Sequence, residues 1–388
     1  MLNNCGVYIH IPFCISKCDY CDFLSFAEVL PQEDYVNALV NEISKARFVT
    51  GVGTVYIGGG TPTMLPTVLL QKVLESVKKL PLVKDAEFTV EANPGTLDRE
   101  KLELLKSYGV NRLSIGLQST SNNLLGALGR SHTVECFMAN YHQARNLGFQ
   151  NINIDLMFAL PGQNLQMWQD SLDTVIALEP EHISAYSLTP APKTPLWEQL
   201  ESGALVLPDD ESDREMYHYA GRALASAGYE HYEISNFAKP GFESRHNVDC
   251  WKMKPYFGFG LGAHSFDGKV RWQNPEHFAD YTKTATMSDK SQLRVGGEDL
   301  IQKTRQEVKL TEEDLLTESM ILGLRLLGGM RDEEIVPGCT VPSVEYFKTQ
   351  IDVLVNRGLM ERNGKTVKLT ALGLDFANRV FAEFIVQM

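Results

Sequence analysis

Three cysteines crowd into one short stretch, Cys14-Ile15-Ser16-Lys17-Cys18-Asp19-Tyr20-Cys21, with C-x3-C-x2-C spacing. Three thiolates on one loop can converge on a single inorganic centre. Structural zinc usually takes four ligands from two separated pairs. Here no second pair exists, and His10 is the only imidazole nearby. A 4Fe–4S cluster held by three thiolates leaves one iron without a protein ligand, open to a substrate or cofactor that would receive an electron there. A zinc knob and three unrelated loop cysteines are the other readings of the same spacing.

Other polar residues fall where strands should end. Gly58-Gly59-Gly60-Thr61-Pro62 allows close backbone approach to a ligand. It is no P-loop, because no Gly-Lys-Ser/Thr follows. Glu91 and Gln118 close two β-rich runs, Asp155 lies inside another, and Arg130 follows in a loop. A lone carboxylate in a strand is a buried-charge liability, whereas several polar groups at one mouth make sense if they hold a ligand. For each of them, a satisfied structural hydrogen bond is the competing account. Further on stand His246 in His246-Asn247-Val248-Asp249-Cys250-Trp251 and His264 in Gly-Ala-His-Ser. The bland reading of either histidine is a structural hydrogen bond. Cys5, Cys136 and Cys339 are expected to pack as small hydrophobes.

These residues need a frame. Six short β-rich runs, Val7–Ile11, Thr54–Ile57, Glu87–Glu91, Arg112–Leu117, Asn151–Phe158 and His182–Leu188, alternate with amphipathic stretches. Those stretches are Glu33–Phe48, Pro66–Leu80, Asp98–Tyr108, Thr133–Leu147, Leu165–Leu178 and Asp209–Ala227. Repeated βα units imply a parallel sheet with right-handed crossovers. Six units rather than eight imply an incomplete barrel with its ligands at the C-terminal mouth. The runs read as apolar on both faces, as buried parallel strands are. Residues 229–275 are rich in Gly, aromatics and His and resist assignment; Tyr256–Phe259 reads as core rather than as a ligand platform. Residues 284–310 read as a linker. Thr311-Glu312-Glu313-Asp314 resembles a capping box. It opens a helix, followed by a second over Ser343–Arg357, a hairpin over Leu359–Leu369 turning at Asn363-Gly364, and a last helix over Leu372–Phe384. That order is winged-helix-like.

The chain has 388 residues, 44% apolar and 22% charged, which fits an ordinary soluble globular protein of two domains or a barrel with an appendage. No apolar stretch reaches a membrane span, and the N-terminus has no signal-peptide pattern. Seven cysteines, an odd number, with no export signal argue for a reducing, cytoplasmic setting rather than a disulfide framework. The net charge of −13 disfavours nucleic acid and anionic membrane as general partners. Residues 301–388 carry 11 Lys/Arg against 13 Asp/Glu, so a DNA-binding wing is disfavoured too.

Taken together, the motifs resemble the radical S-adenosylmethionine (SAM) superfamily and, within it, the coproporphyrinogen dehydrogenase-like branch. They are Tyr8-Ile9-His10-Ile11-Pro12-Phe13-Cys14, Gly58-Gly59-Gly60-Thr61-Pro62-Thr63, Glu91-Ala92-Asn93-Pro94, Gly116-Leu117-Gln118, Leu128-Gly129-Arg130 and Asp155-Leu156-Met157-Phe158-Ala159-Leu160-Pro161-Gly162. The resemblance covers nearly the whole chain. It implies an α/β fold, a partial (β/α)6 radical SAM barrel with a small C-terminal winged-helix-like domain. The expected division is 1–230 for the core, 231–300 for an extension and linker, and 301–388 for the C-terminal domain.

The resemblance further implies Cys14, Cys18 and Cys21 as ligands of a 4Fe–4S cluster whose open iron chelates SAM, with SAM cleavage yielding a 5′-deoxyadenosyl radical. Tyr8, Tyr20, Gly59 and Glu91 match positions around the cluster-bound SAM. Gly60, Thr61, Gln118, Arg130, Asp155 and Thr189 match positions around a second SAM in the dehydrogenase; here they serve one SAM or two. Two departures separate this chain from the dehydrogenase. Position 23 is Phe where the dehydrogenase has a fourth cysteine, and only 13 residues precede Cys14. Both are similar to the haem-chaperone members of the branch, which bear an HN-x-x-Y-W haem-binding motif. His246, Asn247 and Trp251 match it, with Cys250 at the Tyr position, so the resemblance implies the His246 imidazole or the Cys250 thiolate as haem-iron ligand. The leading expectation is therefore a haem chaperone that passes haem to acceptor proteins, among them a respiratory acceptor at the membrane periphery, as monomer or dimer. The runner-up is an oxygen-independent coproporphyrinogen III dehydrogenase, and a winged-helix regulator with an Fe–S sensor is third.

Overall fold

The computed structural model describes residues 4–286, 293–294 and 306–385. Six parallel strands run through it in chain order: β1 (Asn4–Ile11), β2 (Gly51–Gly59), β3 (Leu82–Ala92), β4 (Arg112–Gln118), β5 (Ile152–Phe158) and β6 (His182–Ser187). Helices α1 (Gln32–Lys45), α2 (Thr67–Val77), α3 (Arg99–Ser107), α4 (Val134–Asn146), α5 (Leu165–Ala177) and α6 (Asp210–Ser226) follow them. Side chains start α3, α4, α5 and α6: Asp98, Thr133, Asn164 and Asp209 each accept a backbone N–H from the first turn. The expected six-fold βα array and its partial barrel are both present.

The segment that resisted assignment completes the sheet. It supplies β7 (Glu230–Glu233), β8 (Asn236–Ala238), β9 (Tyr256–Phe259), β10 (His264–Phe266) and β11 (Val270–Gln273). With β12 (Gln306–Lys309) the order is β12-β11-β10-β9-β1-β2-β3-β4-β5-β6-β8-β7. β9 joins β1 in parallel, and β7 and β8 continue antiparallel beyond β6. Its strands, three or four residues each, are too short for a period to stand out. Phe257 and Phe259 are buried core residues, as expected. Of the stretch read as a linker, residues 287–292 and 295–305 lie outside the described residues, while Leu293–Arg294 pairs with Ala46–Arg47 and β12 edges the main sheet.

The strands are not apolar on both faces. Outward residues such as Val7, Ile9, Val55, Ile57, Phe88, Val90, Leu113, Ile115, Ile152 and Ile154 form one apolar core with the helices. Facing inward are Tyr8, Thr54, Tyr56, Glu87, Thr89, Arg112, Ser114, Asn153, Asp155, His182 and Tyr186, which alternate with the apolar set along each strand. The interior is polar and hydrogen-bonded: Asn153 donates to Ser114 and Asp155 and accepts from Ser184, and His182 joins Asn153 to Tyr232.

The C-terminal part holds its own core around Met320, Phe347, Leu354, Val367 and Phe384. The capping box at Thr311 and Asp314 opens α8 (Glu312–Gly323) as expected. Three details differ. The second helix breaks at buried Phe347, between Ser343–Tyr346 and α9 (Lys348–Asn356), where Phe347 packs edge-on against Phe384. The last helix breaks at Phe376. In the hairpin β14 (Met360–Asn363) to β15 (Thr366–Leu369), Asn363 pairs with Thr366, so Gly364 and Lys365 make the turn. Gly364 at φ +61 suits the first central position of a two-residue hairpin. A two-residue strand, β13 (Met330–Arg331), pairs with β15 and completes the wing.

Candidate functional site

The cysteine loop leaves β1 and is pinned before it reaches solvent. Cys14 N–H donates to Phe26 O and Phe26 N–H to Pro12 O, tying the loop ends together. Phe13, buried at the base, packs edge-on against Tyr35. Farther out, Asp19 N–H donates to Leu128 O, and Leu196 N–H donates to Asp19 O. All three thiols are free and half-buried on the wall of a cleft of about 1550 Å³ at the C-terminal mouth of the barrel. Burial pushes the Cys14 and Cys21 thiols above their ordinary range, partly offset at Cys14 by the hydroxyls of Thr61 and Ser25 and at Cys21 by the Phe23 backbone. Loading a metal centre would therefore release protons.

Arg130 ties the loop to the barrel. One guanidinium nitrogen points at Cys18 Sγ and Tyr20 Oη, both at 3.5 Å. The other donates to Asn93 Oδ1 at 2.6 Å and Gly116 O at 2.9 Å. Asn93 in turn donates to Thr61 Oγ1 at 2.7 Å, and Thr61 donates to Cys14 Sγ at 3.7 Å. Arg130, Asn93 and Thr61 thus form one chain of hydrogen bonds from Cys18 to Cys14. Asn93 lay inside a motif but was not singled out from sequence.

Glu91 and Asp155 stand on the cleft floor. Glu91 accepts from Tyr56 Oη at 2.7 Å and from Gly59 N–H at 3.1 Å. Burial, reinforced by the Asp155 carboxylate and opposed by the Tyr56 hydroxyl, pushes Glu91 up to about 7. Burial also raises Asp155, against hydrogen bonds from Asn153 and Ser184. Gly59 has φ +109, and a Cβ there would lie 2.4 Å from the His10 ring; Tyr8 Oη meets His10 Nδ1 at 2.9 Å. Gln118 holds φ +69, a sparsely populated conformation for a residue with a side chain, and accepts from Tyr186 Oη at 2.9 Å. Gly60 also lines the cleft, and Thr189 is exposed at its edge. Tyr8, Tyr20, Gly59, Gly60, Thr61, Glu91, Gln118, Arg130 and Asp155 therefore share one neighbourhood with the three cysteines.

His246 does not. It lies in the first turn of α7 (Arg245–Trp251), which plugs the opposite end of the barrel. Its Nδ1 meets Thr54 Oγ1 at 2.9 Å, and its ring packs on Tyr56 at 5.3 Å. The N–H groups of Arg245 and His246 donate to the two oxygens of buried Glu87. Burial lowers His246 to about 4, so the imidazole is neutral at pH 7, and raises Cys250 to about 12, keeping its thiol protonated. His264 is exposed. Tyr56, missed from sequence, touches both regions; its inward alternation with Thr54 was the available signal.

The donor set suits a cluster. Among the described residues no three His, Cys, Asp or Glu side chains converge as ligands of a single ion. Three free thiols on one loop at the cleft wall can each bind a different iron of a cubane.

The cleft continues past the barrel to Phe376, Asn378 and Arg379 of the C-terminal part. Among the described residues no helix is long and apolar enough to cross a membrane. Residues 8–175 match the radical SAM superfamily, and residues 310–376 match the HemN C-terminal domain. The chain is 37% identical to heme chaperone HemW of Bacillus subtilis (strain 168), over 99% of this chain and 100% of that one. It is 42% identical to heme chaperone HemW of Escherichia coli (strain K12), over 68% of this chain and 70% of that one. The solved coproporphyrinogen III oxidase (HemN) of Escherichia coli, described as a radical SAM enzyme, is similar in fold, with a TM-score of 0.81 and 23% identity over 99% of this chain and 91% of that one.

Proposed function

Since the chain belongs to the HemW family of the radical SAM superfamily, we propose that it is a haem chaperone that binds haem and passes it to haem-dependent acceptor proteins. The observation that carries this reading is the presence, in one chain, of an open three-thiol cleft and a helix bearing buried His246 and half-buried Trp251. Cys14, Cys18 and Cys21 would hold a 4Fe–4S cluster. Bound there, such a cluster supplies an open iron for SAM and a single electron. Tyr8, Tyr20, Gly59, Gly60, Thr61, Glu91, Gln118, Arg130 and Asp155 would shape and orient the SAM pocket. Glu91 offers a carboxylate to an ammonium, and Arg130 steadies the thiolate loop through Cys18. His246, a neutral imidazole, would be the haem ligand once α7 shifts; Cys250 would first have to lose its proton.

Anaerobic reconstitution followed by hemin titration tests the proposal. A shifted Soret band that weakens in His246→Ala supports it, and an affinity untouched by His246→Ala removes that residue. The shared fold and the size of the cleft favour one other reading, oxidative decarboxylation of coproporphyrinogen III. Protoporphyrinogen IX formed with SAM and reductant would establish that reading instead.

A further inference from the structure

We propose that Tyr56 couples the cleft to His246, so that SAM bound at Glu91 weakens haem binding, and haem weakens SAM binding in return. The inference rests on the haem-chaperone reading above. Tyr56 stands on the inward face of β2 and forms part of the cleft floor. Its hydroxyl donates to Glu91 Oε1 at 2.7 Å. Its ring packs on Tyr8, with centroids 6.3 Å apart, and on His246, with centroids 5.3 Å apart. One side chain thus holds the carboxylate that faces the cleft and covers the imidazole that lies beneath it.

His246 is enclosed on its other sides. Thr54 bonds Nδ1, and a Cβ on Gly6 would come within 3.2 Å of Cε1. Presenting this imidazole to an iron requires α7 to withdraw it, which leaves a hollow under Tyr56. An unfilled hollow costs free energy in proportion to its volume. With the cleft empty, the Tyr56 ring can settle into that space and shrink it. A cationic ligand seated on Glu91 fixes the carboxylate and, through the hydroxyl, the ring above the hollow. Opening then costs more. Coupling of this kind is reciprocal, since each ligand must change the affinity of the other by the same factor. Tyr56 acts through Glu91 and His246 and is a positioning residue.

The test uses cluster-loaded full-length protein under anaerobic conditions. Haem affinity is read from the Soret band at increasing SAM, and SAM affinity by calorimetry with and without haem. Saturating SAM should weaken haem binding about five- to tenfold, and haem should weaken SAM by the same factor. Tyr56→Phe keeps the ring and removes the tether; whatever the variant does to the affinity for each ligand alone, the effect of one ligand on the other should then be gone. In His246→Ala, SAM affinity should no longer respond to haem. A wild-type haem affinity that ignores SAM, or a mutual effect that persists in Tyr56→Phe, overturns the coupling and leaves the chaperone reading standing. Wild-type protein that binds no haem at all overturns both.

Discussion

The guanidinium of Arg325 lies over the indole of Trp251, 4.4 Å from the ring centroid, and so joins the end of the helix that carries His246 to the C-terminal part. The same guanidinium is 3.7 Å from Glu233 Oε2, on a side chain with no exposed surface. Ile234 N–H also donates to Arg325 O. One arginine therefore serves a cation–π contact, an ion pair and a backbone seam.

Removing that side chain leaves Glu233 buried without its counter-charge. Arg325→Ala should destabilise the protein by about 2–3 kcal/mol, somewhat below a fully buried pair because Arg325 is partly exposed. Adding Glu233→Gln should restore part of the loss. Denaturant midpoints of the two single variants and the double variant check this, and strictly additive losses would refute the pairing.

Glu91 makes stability depend on pH. Its native pKa is raised from 4.5 to about 7. Between those values the native state holds the proton that the unfolded state has released, so this group's contribution falls as pH rises through the window. Glu91→Gln removes the effect. The variant should gain on wild type by about 1–3 kcal/mol between pH 4.5 and pH 7.5. Melting curves across that range would show it, and a wild-type-to-variant gap that stays flat with pH would count against the raised pKa.

Gly59 admits no side chain. Gly59→Ala combines a left-handed φ with a Cβ driven into the His10 ring. It should cost about 2–4 kcal/mol. Displacing His10 should also disturb its bond to Leu24 O within the cysteine loop, so cluster incorporation should fall even where the fold survives. Iron content after anaerobic reconstitution reads this directly, and full iron loading would deny the link.

Glu87 caps α7 from across the barrel. Glu87→Ala strands the buried N–H of His246 and the partly buried N–H of Arg245 and should cost about 2 kcal/mol, whereas Glu87→Gln keeps one acceptor and should cost less. Amide exchange over residues 245–251 should quicken in the same order. Unchanged protection there would show that the helix is held by other contacts.

Periodicity, strand-end motifs and caps made the βα array legible, because those signals arise within a few neighbouring residues. The Thr311–Asp314 capping box and the cysteine spacing are cases in point. The polar barrel interior was not legible that way. Thr54, Glu87, Arg112 and Asn153 are scattered along the chain, and only strand register brings them to one lumen. Register also decided that Gly364 and Lys365 make the hairpin turn. Tertiary packing of Phe347 overrode helix continuity through Ser343–Arg357.

From the residues and their family likeness alone came the three thiols of one loop and the polar groups expected around them, since short spacing and strand-end position constrain where such groups can lie. What the folded chain alone decided is distance. It placed Arg130 against Cys18 across the mouth, and it set His246 beneath Tyr56 at the far end of the barrel. Residues 130 and 18, or 246 and 56, have no local relation; closure of the sheet and the seat of α7 on Glu87 bring them together.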